Sequence, residues 1–198
     1  MNVNDKYMDL VSLRGKARYQ LWKEGIHQTD PLWDSHQLVL INLLNTITSG
    51  NVLEFGMGHG STELMHAICE QQGRNLVSID SDEKWINKFH GLKSDSHRIE
   101  VFDPVRLIRG NYDYMAHHYS IIFVDAAPAG IRQPFIERMK PMAKYILVHD
   151  TELLANGRGP ASYGYNFDSF KHVVHFTESQ PTSTILSDLE EIDKNILL

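Results

Sequence analysis

A glycine-rich turn between a predicted strand and a predicted helix constrains this chain more than any other feature. The apolar run from Val52 to Phe55 predicts a short strand, and apolar residues recur at helical spacing over residues 62–72. Three glycines separate the two elements, and a second predicted strand ends at Asp80. Such a turn lets a ligand approach backbone N–H groups at the start of a helix. The stretch therefore predicts a binding site for a nucleotide-like cofactor.

The spacing of the glycines separates two kinds of cofactor. A dinucleotide fingerprint has the pattern G-x-G-x-x-G, whereas this chain reads E-F-G-M-G-H-G from Glu54 to Gly60. An acidic residue two positions before the first of three alternating glycines favours a methyl donor over a nicotinamide. The pattern resembles motif I, E/D-x-G-x-G-x-G, of the class I S-adenosylmethionine-dependent methyltransferases. The resemblance extends from about residue 51 to residue 150.

The order of the predicted elements indicates an α/β fold. Strands are predicted at 51–56, 75–80, 98–102, 119–125, 144–149, 171–176 and 181–186, with helices near 62–72, 83–91, 104–116 and 130–141. Alternating strands and helices imply parallel pairing through right-handed crossovers. The last two strands have no helix between them and predict a hairpin. We expect a Rossmann-like three-layer sandwich with a seven-stranded, mostly parallel sheet and a C-terminal antiparallel hairpin, as the resemblance also implies.

The length of 198 residues suits one α/β domain and is too short for two ordinary ones. We expect a single methyltransferase domain, in which residues 1–49 are a helical N-terminal extension and residues 50–198 the Rossmann-like core. Extensions of this kind often form a lid over the substrate side in class I methyltransferases. The resemblance therefore places Trp33 and His36 near the pocket, and the alternative is that both side chains only pack an outer helix.

The resemblance implies cofactor contacts at the carboxyl ends of the first three strands. Glu54 would act on the ammonium group of S-adenosylmethionine, and Asp80 would accept hydrogen bonds from the two ribose hydroxyls, because a carboxylate offers two acceptor oxygens. Forming the following turn is the alternative role of Asp80. Asp103 is expected at the adenine amino group, with Glu100 as the rival residue. The predicted cofactor-binding residues are Glu54, Gly56, Met57, Gly58, Ser61, Thr62, Asp80, Ser81, Asp103 and Asp125.

Two of the predicted cofactor-side residues have a second interpretation. Trp85 can stack on the adenine or pack its own helix against the sheet. Ser61 stands where an N-cap of the helix over 62–72 is expected. Cys69 is the single cysteine, and its place among apolar helical positions predicts a buried thiol.

Charged residues end the fourth and fifth predicted strands. The run V-D-A-A-P-A-G-I-R-Q-P from Val124 resembles the V-D-G-P-P-G-x-R pattern of a methyltransferase subgroup that includes enzymes acting on sugar-acid hydroxyls. H-D-T from His149 resembles other class I O-methyltransferases, some of which hold a divalent cation with acids at these two strand ends. Asp125, His149 and Asp150 are therefore the predicted catalytic residues. Asp125 and Asp150 are the predicted ligands of a divalent cation, and His149 is a further candidate ligand.

The predicted substrate-binding residues lie after the fourth and fifth strands. Arg132 would face an anionic substrate or a cofactor carboxylate, and the alternative is a solvated arginine at a helix start. The glycine- and aromatic-rich loop over 155–165 borders the acceptor side in the family. The residues proposed from it are Arg158, Tyr163 and Tyr165, although an ordinary connecting loop has the same composition.

These patterns predict an S-adenosylmethionine-dependent methyltransferase that transfers a methyl group in line to a hydroxyl of a small molecule or sugar. A non-catalytic cofactor-binding scaffold of the same fold and a nicotinamide-dependent oxidoreductase are the alternatives. A net charge of -6 and a pI of about 6.0 argue against electrostatic binding to nucleic acid.

No apolar stretch approaches the ~20 residues of a membrane span, and the N-terminus lacks the pattern of a signal peptide. We therefore expect a cytoplasmic protein without membrane partners. The short amphipathic tail from Asp188 is a candidate homodimer contact.

Overall fold

A computed structural model describes residues 3–25, 34–109, 112–152 and 163–193. The helices are α1 (Val3–Lys23), α2 (Gln37–Thr46), α3 (Thr62–Gln72), α4 (Glu83–Ile86), α5 (Pro104–Arg109) and α6 (Arg132–Met139). The strands are β1 (Val52–Phe55), β2 (Leu76–Asp80), β3 (His97–Val101), β4 (Tyr119–Val124), β5 (Ala143–His149), β6 (His172–Phe176) and β7 (Ser183–Ser187). Short 3-10 helices occupy Asn87–Leu92, Asp113–Ala116, Ala129–Ile131 and Lys140–Met142.

The seven strands form one sheet in the order β3-β2-β1-β4-β5-β7-β6. Strands β1 to β5 pair in parallel, and β7 pairs antiparallel with both β5 and β6. The predicted fold, a mostly parallel seven-stranded sheet with a C-terminal antiparallel hairpin, is confirmed. The strand order reverses between β1 and β4, and ligands of open α/β sheets bind outside the strand ends at such a point. The glycine turn after β1 and Asp125 after β4 are therefore neighbours.

Apolar side chains cover both faces of the central strands, as parallel sheets require. One core cluster joins α2 and α3 to the sheet, and it contains Leu40, Leu44, Ile68, Phe123 and Leu147. The other cluster joins α6 and the residues after β3 to the opposite face, and it contains Phe55, Phe102, Tyr114, Phe135 and Ile146. This arrangement gives three layers. Cys69 is buried as predicted, and burial raises the pKa of its thiol to about 12.

Helix α1 docks closely on the start of α3 because it carries a glycine at the contact. A Cβ added to Gly15 would lie 2.2 Å from the carbonyl oxygen of Glu63. The backbone of α1 therefore touches the turn of α3 that follows the glycine-rich loop. Among the described residues, no helix has both the length and the apolar character needed to cross a bilayer.

Two predicted helices are shorter in the structure. The helix expected over 83–91 is α-helical only to Ile86 and continues as a 3-10 helix to Leu92. The helix expected over 104–116 ends at Arg109, and a separate 3-10 helix begins at Asp113, with residues 110–111 outside the described part.

Candidate cofactor and acceptor site

Gly56 starts the glycine turn in a conformation that only glycine adopts without strain. Its φ is +96°, and an added Cβ would lie 2.4 Å from the Cα atom of Ala126. The Gly56 N–H donates to the carbonyl of Ile79 at 2.9 Å, and the Asp125 N–H donates to the carbonyl of Phe55 at 2.8 Å. The turn is thus held against the ends of both β2 and β4.

Glu54 lies buried beneath the glycine turn with one carboxylate oxygen satisfied. Ser61 Oγ and Thr62 Oγ1 donate to its Oε1 at 2.6 and 2.9 Å, whereas Oε2 is buried with no hydrogen-bond partner among the described residues. Burial raises the pKa of Glu54 to about 7, against the lowering effect of hydrogen bonds from Ser61, Ser78 and Thr62. Ser61 occupies the predicted N-cap position, but its hydroxyl bonds to Glu54 instead of capping α3. Oε2 therefore has unused acceptor capacity inside the protein.

Asp80 connects the glycine turn to the turn after β2. Its Oδ2 accepts from the Met57 N–H at 2.9 Å, and its Oδ1 accepts from the Asp82 N–H at 3.0 Å. Burial raises the pKa of Asp80, against the opposing effect of these backbone hydrogen bonds. Each carboxylate oxygen keeps a second lone pair. The turn-forming role is therefore real, and the carboxylate still has acceptor capacity for a ribose.

The remaining cofactor-side predictions fall around the same turn. Trp85 packs on Phe89, and its indole N–H donates to the Met57 carbonyl at 2.7 Å. Ser81 Oγ donates to the Ala127 carbonyl at 3.0 Å. Glu100 on β3 accepts from Arg98 Nε at 3.0 Å. Asp103 follows β3 with a half-exposed side chain.

Helix α1 contributes basic residues to the glycine turn that sequence reasoning missed. Arg14 Nε donates to Glu63 Oε2 at 2.6 Å, and Arg18 Nη1 donates to the His59 carbonyl at 2.6 Å. Gln37 Nε2, at the start of α2, donates to the Gly60 carbonyl at 2.7 Å. The sequence carries no local signal for these contacts, because the paired residues are 23 to 49 positions apart.

At the ends of β4 and β5, Arg132 binds both predicted catalytic carboxylates. Its Nη2 lies 2.9 Å from Asp125 Oδ1 and its Nη1 lies 3.0 Å from Asp150 Oδ2, while its Nε donates to the Ala126 carbonyl at 2.6 Å. Asp150 adopts a positive φ of 60°, which is uncommon outside glycine. Burial is the largest single influence and would lower the pKa of Arg132, but Asp125, Tyr165 and Asp150 together raise it.

This ion-paired arrangement corrects two predictions. The Arg132 side chain is only 7% exposed and is neutralised by the two aspartates, so it is neither a free anion-binding group nor a solvated arginine. A divalent cation held jointly by Asp125 and Asp150 would meet the guanidinium that already joins them. The predicted pair of metal ligands therefore does not fit a cation.

His149 is held between Asp125 and a serine from the segment before α2. Its Nδ1 lies 3.2 Å from Asp125 Oδ2, and its Nε2 lies 2.8 Å from Ser35 Oγ, which also donates to the Pro181 carbonyl at 2.9 Å. Burial would lower the pKa of His149, but the hydrogen bond and charge of Asp125 outweigh burial and raise it. Burial would conversely raise the pKa of Asp125, and His149 with Arg132 lowers it.

His36 lies in the same cluster, as the resemblance implied. Its ring centroid is 4.8 Å from those of both His149 and Phe123. Neither ring nitrogen makes a hydrogen bond of normal geometry among the described residues. Burial and the charge of His149 lower the pKa of His36 to about 3, against smaller opposing effects of Asp125 and the Gly60 backbone. Ser35 was not predicted, and only its position beside His36 in the sequence could have indicated it.

The two tyrosines that were predicted to bind the substrate differ in exposure. Tyr165 is buried in the core, and its hydroxyl donates to the His149 carbonyl at 3.1 Å, so its role here is to support β5 rather than to face a substrate. Tyr163 is exposed, with its ring centroid 5.2 Å from the Arg132 guanidinium carbon. Trp33 and Arg158 lie outside the described residues.

Comparison with solved structures identifies the fold. A "putative O-methyltransferase" from Klebsiella pneumoniae superposes with a TM-score of 0.56 at 12% identity over 91% of this chain and 89% of its own. A "putative caffeoyl-CoA O-methyltransferase" from Staphylococcus aureus gives 0.55 at 16% identity over 86% and 90%. The methyltransferase PaMTH1 from Podospora anserina, solved with S-adenosylhomocysteine bound, gives 0.54 at 12% identity over 77% and 76%.

Neither a protein-family model nor a curated protein sequence matches the chain. At these identities the structural similarity defines architecture and not chemistry. The chain has the fold of the class I S-adenosylmethionine-dependent methyltransferases.

Proposed function

We propose that the chain is an S-adenosylmethionine-dependent methyltransferase that methylates a hydroxyl of a small molecule or sugar. The observation that carries the proposal is the pair of carboxylates on either side of the glycine turn. Glu54 offers a buried, unpartnered oxygen on one side, and Asp80 offers acceptor capacity on the other. The two would receive the ammonium and the ribose hydroxyls, which are the donor groups at opposite ends of this cofactor.

The glycine turn suits the cofactor because it leaves backbone open to a ligand. An added Cβ at Gly58 would meet no atom closer than 3.7 Å. When bound, S-adenosylmethionine supplies a methyl group already activated on a sulfonium. The chain then has to orient the acceptor hydroxyl and remove its proton.

His149 is the proposed base for that proton. Asp125 orients its Nδ1 side, and the raised pKa means that the ring, once deprotonated, has a high affinity for the proton of the acceptor. Ser35 Oγ lies 2.8 Å from Nε2 and donates its own proton to the Pro181 carbonyl, so it accepts from Nε2 and marks the position that an acceptor hydroxyl would have to take. Asp125 and Asp150 are partly exposed and would contact the acceptor, whereas Arg132 fixes both carboxylates.

A thermal-shift measurement with S-adenosylhomocysteine tests the cofactor assignment. The ligand should raise the melting temperature of the wild type, because it binds only the folded state. Asp80→Asn should weaken binding at least tenfold, since an amide has one acceptor oxygen where the carboxylate has two. Asp95→Asn, at an exposed turn position before β3, is the matched control and should bind as the wild type does.

Two results would contradict the proposal. Absence of any shift at millimolar ligand would remove the cofactor. Cofactor binding without transfer of labelled methyl to any of a panel of phenols, hydroxy acids and sugars would favour a non-catalytic scaffold of this fold.

A further inference from the structure

We propose that His36, Asp125 and His149 form a binding site for a divalent transition-metal ion. One ligand atom from each of these residues lies within 4.8 Å of the other two. The three residues come from separate elements: His36 precedes α2, Asp125 follows β4, and His149 ends β5. Two imidazoles and one carboxylate are a ligand set that suits Zn²⁺, Co²⁺ or Fe²⁺.

His36 supplies the independent observation. Its side chain is buried, yet neither ring nitrogen makes a hydrogen bond of normal geometry among the described residues, although the Gly60 backbone is close enough to affect its pKa. Buried polar groups in native proteins are nearly always paired, and an unpaired imidazole beside two other metal-ligand groups calls for a missing partner. A metal ion coordinated through one ring nitrogen would provide it.

The distances require only a small adjustment. Ligand atoms around a tetrahedral ion at about 2.1 Å lie roughly 3.4 Å from one another. His149 Nδ1 and Asp125 Oδ2 are already 3.2 Å apart. A rotation that brings a His36 nitrogen closer by up to about 1.4 Å would complete a three-residue site. The fourth position would remain open to water or to an acceptor oxygen.

The outer contacts of two ligands already have the form expected around a metal. Ser35 Oγ bonds to Nε2 of His149, and Arg132 Nη2 bonds to Oδ1 of Asp125. Both contacts lie on the atoms that would not coordinate, and such contacts fix the orientation of metal ligands. Arg132 excludes a cation shared by Asp125 and Asp150, but it leaves Oδ2 of Asp125 in contact with Nδ1 of His149.

The ion would join the segment before α2 to the ends of β4 and β5. If the proposed function holds, an ion on Nδ1 of His149 would replace that ring as the group that activates the acceptor: it would bind the hydroxyl to be methylated and lower the pKa of that hydroxyl. The binding of the ion does not depend on that function. It is therefore measured with neither cofactor nor acceptor present.

The test is a titration of chelator-treated protein with Co²⁺, followed by calorimetry and visible absorption. The wild type should bind one Co²⁺ per chain and develop d–d absorption bands. His36→Phe keeps a ring of similar size against Phe123 and should lower the Co²⁺ affinity at least tenfold. His90→Phe removes an exposed histidine outside the cluster and should leave affinity and spectrum unchanged.

The proposal is overturned if the wild type shows no stoichiometric binding of Co²⁺ or Zn²⁺ at submillimolar concentration. It is equally overturned if folded His36→Phe binds Co²⁺ like the wild type. Should that variant fail to fold, X-ray absorption of the zinc-loaded wild type decides the matter. Two imidazole ligands are expected there, and one or none would refute the site. The S-adenosylhomocysteine shift is scored separately, so either proposal can fail alone.

Discussion

Arg132 holds the carboxylates at the ends of β4 and β5 together, so its removal should destabilise the fold. It is buried and balances the charges of Asp125 and Asp150. Removing one partner of a buried ion pair leaves uncompensated charge and typically costs about 3–5 kcal/mol. Arg132→Met keeps most of the apolar volume, so the loss should be electrostatic. We expect the free energy of unfolding to fall by about 3 kcal/mol in urea denaturation.

The control for Arg132 is an exposed arginine that also binds two carboxylates. Arg98 pairs with Glu100 and Asp113, but its side chain is 44% exposed. Exposed pairs contribute about 0–1 kcal/mol, so Arg98→Met should change stability little. Equal effects of the two substitutions would mean that the Arg132 cluster is well solvated.

The sequence identified the acidic residues of the site but not their partners. Asp80 and Asp125 were predicted because an acidic residue that directly follows an apolar run can be recognised from the sequence alone. The contacts of Arg132 with Asp125 and Asp150 depend on how α6 packs against the sheet. The sequence pattern does not specify this packing. For the same reason Tyr165 was expected to contact the substrate, whereas in the structure its buried hydroxyl bonds to the His149 carbonyl of β5.

The docking of α1 on α3 depends on Gly15, and it gives a prediction opposite to helix propensity. Alanine is favoured over glycine inside a helix by about 1 kcal/mol. At Gly15, however, a Cβ would lie 2.2 Å from the backbone oxygen of Glu63. Gly15→Ala should therefore push α1 away from α3. Hydrogen exchange of the α1 amides should become faster, even though the isolated helix would be more stable.

Ala17 provides the comparison within the same helix. It is exposed, so Ala17→Gly should speed exchange in α1 through propensity alone. Slower exchange in Gly15→Ala would show that propensity dominates and that α1 is not docked at this glycine.

Hydrophobic periodicity predicted the strands well, but it placed the end of one helix too late. Each of the seven strands was predicted within two residues of its observed ends, since buried strands have continuous apolar runs and clear breaks. The helix over 104–116 was overextended because its apolar spacing continues past Gly110. The contacts of α1 with the glycine turn could not be predicted, because they join segments about 40 or more residues apart.

Buried histidines should make the free energy of unfolding of the protein depend on pH. His97 on β3 bonds to Ser78 Oγ at 2.9 Å and to His66 at 3.0 Å. Burial and the charge of His66 lower the pKa of His97 to about 3, against a smaller opposing effect of the Leu92 backbone. In the unfolded chain it would titrate near 6.5. The unfolded state therefore gains a proton first, and stability present above pH 6.5 is lost as the pH falls.

Other titratable groups raise or lower the free energy of unfolding as the pH changes. The difference in this free energy between the wild type and a His97 variant therefore isolates the contribution of His97. His36, with a pKa of about 3, acts in the same direction as His97, whereas Glu54, with a pKa of about 7, gains stability as the pH falls from 7 to 4.5. The raised pKa of His149 also favours the folded state at lower pH. These contributions are shared by the wild type and a His97 variant and cancel when the two are subtracted.

His97→Phe should be less stable than the wild type at pH 7.5, because Ser78 and His66 lose a partner. Between pH 6.5 and 4.5 the wild type should lose about 2 kcal/mol more unfolding free energy than this variant, from the titration of one buried histidine. His90→Phe, altered at an exposed histidine, should follow the wild type across the range. Urea denaturation at each pH measures the difference. Parallel curves for the wild type and His97→Phe would mean that His97 takes up its proton without unfolding, which its burial beneath α3 argues against.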